Sequence, residues 1–297
     1  MTSRAVELTR TRLKQTPLPQ LDERGDKDTR GKVLVVGGSV KVAGAVLLAG
    51  VAALRAGAGK LQLATVESAA SMLGIAVPES LVVALPESRG GEISARHSAT
   101  LLAEYASSCD ALLVGPGMSS ERSARALVRS LAVRLNNDAT LVLDAAAVTA
   151  LRNDVDVIAP VASRVVITPH AGEMAALLDV DIAEVHADPA VIALRAAGLL
   201  GIVVALKGAE SWIADPEGSL FRYSGGSVGL ATSGSGDTLA GMVAGLAARG
   251  ASPLCAAMWG VYLHGAAGEA LAKRMGRVGY LARELLDEVP MVMHALS

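Results

Sequence analysis

Lys32-Val33-Leu34-Val35-Val36-Gly37-Gly38-Ser39, with the segment that follows it, decides the fold. An aliphatic run breaks into two glycines and a serine. The Ala-rich segment 43–56 comes next, then a second apolar run at 60–64. A short, continuously apolar run is a strand buried on both faces, and the Ala-rich segment is long enough for three turns of helix. Strand, glycine turn, helix and strand make a right-handed crossover, so the two strands lie parallel. The same alternation continues outward. Strands are expected at 81–84, 111–114, 140–143, 165–167 and 202–206. Helices are expected at 97–107, 121–134, 172–178, 189–197, 237–249, 254–273 and 282–297. This order predicts an α/β fold in three layers, a mostly parallel central sheet with helices on both faces. Runs 212–214 and 220–223 flank the turn signal Asp215-Pro216-Glu217-Gly218 and predict a hairpin at one sheet edge. Residues 1–30 are polar and charged, with Pro17 and Pro19, and read as a lead-in segment partly helical at 5–14; residues 31–297 read as one domain.

Composition agrees with this. Of 297 residues, 52% are hydrophobic but only 2% aromatic, so the interior is built from small aliphatic side chains that suit closely packed helices. The net charge of −2 gives no electrostatic basis for binding nucleic acid or an anionic membrane. The uncharged run 42–54, closed by Lys41 and Arg55, is too short to span a bilayer, and 251–268 contains Pro253 and His264. Both read as buried helices. Cys109 and Cys255 lie far apart, and no leader pattern precedes them, so they are expected to be reduced thiols in a cytoplasmic protein. An Ala-rich, apolar composition also points to self-association.

Polar or glycine-rich residues follow most of the strands. They are Gly37-Gly38-Ser39, Gly115-Pro116-Gly117, Asp144, Thr168-Pro169-His170, and Lys207-Gly208-Ala209. In a parallel sheet these loops emerge on one side, where ligands gather. The last such turn is Ala231-Thr232-Ser233-Gly234-Ser235-Gly236-Asp237-Thr238. Its glycines allow positive φ and close approach of backbone to a ligand. The N–H groups opening the next helix form an anion site suited to phosphate. A carboxylate inside such a site suggests phosphoryl chemistry with Asp237 as general base; the alternative is that Asp237 simply N-caps the helix. Asp144 ends a buried strand and requires a partner there, whether ligand, metal or backbone. His264, in an apolar helix, reads as a core residue.

These motifs resemble, in order, those of the ADP-dependent NAD(P)H-hydrate dehydratase family. The resemblance rests on Gly37-Gly38-Ser39 with Gly44-Ala45, the run 53–59, Gly115-Pro116-Gly117, Leu143-Asp144-Ala145, Thr168-Pro169-His170, Leu206-Lys207-Gly208-Ala209, Gly234-Ser235-Gly236-Asp237 and Val261-Tyr262-Leu263-His264-Gly265. It covers about residues 25 to 275. It implies a ribokinase-like fold and an ADP-dependent lyase that restores NADH or NADPH from the hydrated (S)-forms, giving AMP and phosphate. It places Gly234, Ser235, Gly236 and Asp237 in catalysis. It places AMP on Lys207, Gly208, Ala209, Glu210, Ser211 and Gly236. The hydrated nucleotide falls to Ala45, Gly117, His170 and Asp237. It also implies Mg²⁺ on the phosphates with no assigned protein ligands, a homotetramer, and a separate epimerase as pathway partner.

The chain departs from the family pattern in several places. Ala146 stands where a second aspartate is usual, Ser233 and Ser235 where glycine and threonine are usual, and Ser227 where asparagine is common. Two alternatives stay open on the sequence: a ribokinase-like small-molecule kinase of the hydroxyethylthiazole-kinase kind, and a non-catalytic nucleotide-binding regulator.

Overall fold

The structure, a computed structural model, describes residues 5–20, 24–152 and 154–296. Residues 1–4 and 21–23 of the lead-in, and Ser297 at the end of the last expected helix, lie outside them. Ten strands form one sheet: β1 (Val6–Glu7), β2 (Lys32–Val36), β3 (Lys60–Val66), β4 (Ser80–Leu85), β5 (Ala111–Val114), β6 (Thr140–Leu143), β7 (Val165–Ile167), β8 (Val203–Leu206), β9 (Ser211–Ala214) and β10 (Leu220–Tyr223). Their spatial order is β1-β10-β9-β8-β7-β6-β5-β2-β3-β4. Every ladder is parallel except the two that flank β9.

Alternate residues of each strand enter opposite layers, as the pleat requires. Leu34 and Val36 join one core cluster with Leu112 and Leu141, while Val33 and Val35 join the other with Leu113 and Val142. Helices cover both faces, which is the three-layer architecture expected. Cys109 and Cys255 are free and buried.

The site is positioned by a reversal of strand order. From β2 the chain builds outward through β3 to β4, then returns to the other side of β2 as β5 and continues to β8. The crevice beyond the carboxyl ends of β2 and β5 is therefore a topological switch point. A pair of helices frames it. Helix Gly44–Arg55 follows β2, and helix Ser235–Ala248 packs along it. Their backbones touch: a Cβ on Gly241 would lie 2.1 Å from the Ala49 carbonyl oxygen, and one on Gly245 would lie 2.4 Å from that of Ala53. Small residues here bring the start of the second helix against the crevice.

Three local expectations are corrected. The lead-in is helical at Arg10–Gln15 rather than 5–14, because Val6 and Glu7 pair with Phe221 and Arg222 as an edge strand. That strand is tied by Arg222 Nε donating to Glu7 Oε2 at 2.9 Å, so the hairpin of β9 and β10 is one strand in from the edge. The helix expected at 97–107 is two, Ala95–Leu101 and Ala103–Ser108, broken where Leu102 turns inward to full burial.

Candidate active site

Gly234 is the N-cap of helix Ser235–Ala248, with φ +86° and no capping side chain. A Cβ there would lie 2.4 Å from Leu48 Cδ1, one helical turn beyond Ala45. Thus the entry to this helix seats directly on the helix that follows β2. The N–H of Ser235 bonds the Thr232 carbonyl at 3.2 Å, whereas those of Gly236 and Asp237 have no acceptor among the described residues. The open donors of the first helical turn are therefore the N–H groups of Gly236 and Asp237. Asp237 is the third residue of the helix, not its cap, and its carboxylate makes no hydrogen bond among the described residues. The N-cap alternative for Asp237 is thereby set aside.

Asp144 directly follows β6 and is 3% exposed. Its Oδ1 accepts from Thr168 Oγ1 at 2.7 Å and from Lys207 Nζ at 2.9 Å. The partner demanded by a buried acid is thus a lysine from two strands away. The chain turns sharply behind it, with Ala145 at φ 49°, a strained conformation for a residue with a Cβ. Lys207 Nζ also lies 4.0 Å from Glu173 Oε2, and a Cβ on Gly236 would sit 3.1 Å from it. The ammonium therefore stands over the first turn of the helix, held from behind by two carboxylates. These anions outweigh its burial and raise its pKa, so it stays charged.

The same surroundings act oppositely on Asp237. Burial first, then the negative charge of Asp144, push its carboxyl up to about 7, against the pull of Lys207. The group is poised to change protonation near neutrality, as a general base must.

The remaining expected residues fall into two neighbouring groups. A Cβ on Gly117 would lie 2.9 Å from Ala45 Cβ and 3.2 Å from Gly38 Cα, so Ala45 and Gly117 meet at the switch point. Lys207, Gly208, Ala209 and Glu210 line a cavity of about 320 Å³ with Leu206 and Trp212; Ser211 opens β9 beside it. Glu210 lies 3.6 Å from the Arg222 guanidinium. His170 caps helix Ala171–Leu178. Its Nδ1 accepts from the N–H groups of Gly172 and Glu173, and Glu173 reciprocates by accepting from the His170 N–H at 2.9 Å. Its side chain is still 60% exposed, with Nε2 3.4 Å from Glu173 Oε1.

Ser235 differs from expectation in orientation. It is buried, and its Oγ lies 2.9 Å from His264 Nε2 rather than in the cleft. Sequence reasoning did not single out Thr168 or Glu173 for the site, and placed His264 in the core. The capping-box spacing His170-x-x-Glu173 was the available signal for Glu173.

The sequence pattern of the NAD(P)H-hydrate dehydratase family matches residues 33–291. A Xanthomonas campestris protein named ADP-dependent (S)-NAD(P)H-hydrate dehydratase is 51% identical over 99% of this chain and 98% of its own length. The Moorella thermoacetica bifunctional NAD(P)H-hydrate repair enzyme is 39% identical over 95% of the chain, which spans 53% of that longer protein. Among solved structures, the Bacillus subtilis ADP/ATP-dependent NAD(P)H-hydrate dehydratase co-crystallised with ATP and Mg²⁺ superposes with a TM-score of 0.81. It is 29% identical over 99% of this chain and all of that one. The fold is ribokinase-like, as the motifs implied.

Proposed function

The chain belongs to the NAD(P)H-hydrate dehydratase family, and from that premise we infer that it is an enzyme that dehydrates (S)-hydrated NADH or NADPH at the expense of ADP. The observation that carries the reading is Asp237, a carboxyl titrating near neutrality beside a lysine and an open helix N-terminus.

Hydroxide is a poor leaving group, so the ring hydroxyl must first be converted into a better one. Asp237 takes the hydroxyl proton as the oxygen attacks the terminal phosphorus of ADP, and AMP departs. The N–H groups of Gly236 and Asp237 and the Lys207 ammonium stabilise charge on the moving phosphoryl group. The ring nitrogen then expels phosphate, a ring proton is lost, and the dihydronicotinamide is restored. AMP lies along Lys207, Gly208, Ala209, Glu210 and Ser211 and ends at Gly236, whose N–H faces the terminal phosphate of ADP. The hydrated ring lies between Ala45, Gly117, His170 and Asp237.

Mg²⁺ enters this reading as a companion of the nucleotide phosphates. Among the described residues no three His, Cys, Asp or Glu side chains gather to hold a metal, and Asp144 is engaged by Lys207.

The reading extends to a cytoplasmic enzyme working with a separate epimerase that interconverts the hydrate epimers. No helix among the described residues is long and apolar enough to cross a membrane. A homotetramer is part of the same reading. Apolar side chains stand outward near the β4 edge of the sheet, Ile75 at 83% and Met72 at 64% exposed on helix Glu67–Ala76, and Leu81 on the strand itself. Light scattering at micromolar concentration tests this, and a monomer would refute it.

The activity test is incubation of the protein with ADP and hydrated NADH. The dihydropyridine absorbance should recover with one AMP and one phosphate per NADH formed. Silence with both hydrates, alongside phosphorylation of another alcohol, would instead identify a kinase.

A further inference from the structure

Beneath the site, Ser235, which the resemblance placed in catalysis, turns away from the cleft towards His264, a side chain with no part in the chemistry described so far. Ser235 is the first residue of the helix that carries Asp237, and His264 lies on the long helix Pro253–Met275 packed along it. Ser235 Oγ and His264 Nε2 are 2.9 Å apart. Among the described residues this is the one side-chain hydrogen bond that ties the first turn, Ser235 to Thr238, to another helix; the Thr238 hydroxyl bonds within the turn, to the Ser235 carbonyl at 2.7 Å.

The turn needs such a tie. It is entered through Gly234 at φ +86° without a capping side chain, so little local chemistry fixes it. Yet its N–H groups must hold their aim on a phosphate, and fractions of an ångström matter there. His264 also suits the place electrically. Burial, then the Lys207 ammonium, push its imidazole down to about 4, so it is neutral at physiological pH and adds no charge under the anion site.

We propose that His264 is a positioning residue: through Ser235 Oγ it fixes the first helical turn and so aims the N–H groups of Gly236 and Asp237 at the terminal phosphate of ADP. This rests on the dehydratase reading for the nucleotide's identity alone. It predicts a bond-specific effect. Nucleotides with the terminal phosphate should feel the loss of the tie, and AMP, which lacks that phosphate, should not.

The test is calorimetric binding of ADP and AMP to the whole protein and its variants. Wild type should prefer ADP. His264→Leu and Ser235→Ala should each reduce that preference about tenfold, as expected for a lost aligned charge-assisted contact. AMP affinity should stay near wild type. The double variant should lose no more than either single one, because both remove the same bond. His264→Gln, whose terminal amide reaches the Nε2 position, should restore the preference. Should His264→Leu fail to fold, Ser235→Ala, which removes one hydroxyl, carries the comparison.

The proposal is overturned if wild type binds ADP and AMP equally, or if the single variants keep the wild-type preference. It is also overturned if the losses multiply in the double variant, or if glutamine is no better than leucine. Because the readout is binding, a wild-type protein that prefers ADP but restores no NADH would refute the dehydratase reading and leave this one standing.

Discussion

At the scale of single residues, Asp237 has the most consequential environment. As a base it works only when deprotonated, so kcat/KM should rise with pH through about 7 and level off above it. Asp144 contributes to holding that value up, so Asp144→Asn should move the acid limb to lower pH; an unmoved limb would mean that another group is the base. Asp237→Asn should lower turnover by about 10²–10⁴-fold, the usual contribution of a general base, while ADP still binds. The same substitution should stabilise the fold. The carboxyl is raised from 3.8 to about 7 on folding, so the native state holds the proton more tightly. Stability falls as pH rises through that window. The melting temperature of Asp237→Asn should therefore exceed wild type at pH 8, with the gap closing towards pH 4. Asp237, Gly236 and Lys207 were legible in the sequence because their chemistry is local: a glycine turn, an acid, a lysine after a strand. The Asp144–Lys207 pair was not, since it joins β6 to the end of β8 across β7. The Ser235–His264 bond crosses between helices and leaves no spacing to read.

At the scale of elements, the helix that carries Asp237 depends on contact with helix Gly44–Arg55. Gly241→Ala would drive a methyl against the Ala49 carbonyl, 2.1 Å from its built position, and the backbones would have to part. We expect a loss of about 1–3 kcal/mol, the usual effect of overpacking, with kcat falling as the first turn shifts. Gly198→Ala is the control. That glycine lies exposed in helix Pro189–Leu200 with nothing within 4 Å of a Cβ, so alanine should stabilise by about 0.5–1 kcal/mol. Urea denaturation of both variants decides; equal effects would mean that close approach of the helices is unimportant. The long elements were legible because each is longer than its periodicity requires, and β2, β5, β6 and β7 have the expected bounds. Helix Glu67–Ala76 escaped because it follows β3 with no Gly or Pro to separate them. β1 escaped because two residues carry no pattern, and its pairing is decided by Arg222, 215 positions away.

At the scale of the whole molecule, strand order determines where chemistry can occur. The reversal between β2 and β5 opens the crevice, and parallel strands deliver Asp144, Thr168 and Lys207 to the same side of the sheet. The convergence of the loops was legible once parallel order was assumed. Which loops touch was not, because that depends on sheet order rather than chain order. The Ala146 departure removes a carboxylate but leaves the site's charge pattern coherent, since Asp144 and Glu173 already flank the single ammonium of Lys207. In the proposed reaction the ring hydroxyl itself accepts the phosphoryl group beside Asp237. Hydrated NADH carrying ¹⁸O in that hydroxyl, turned over with unlabelled ADP, tests it directly. Mass spectrometry should find one ¹⁸O in each released phosphate, because the ring's carbon–oxygen bond breaks after the oxygen has joined phosphorus. Label released as water, with the phosphate unlabelled, would contradict it.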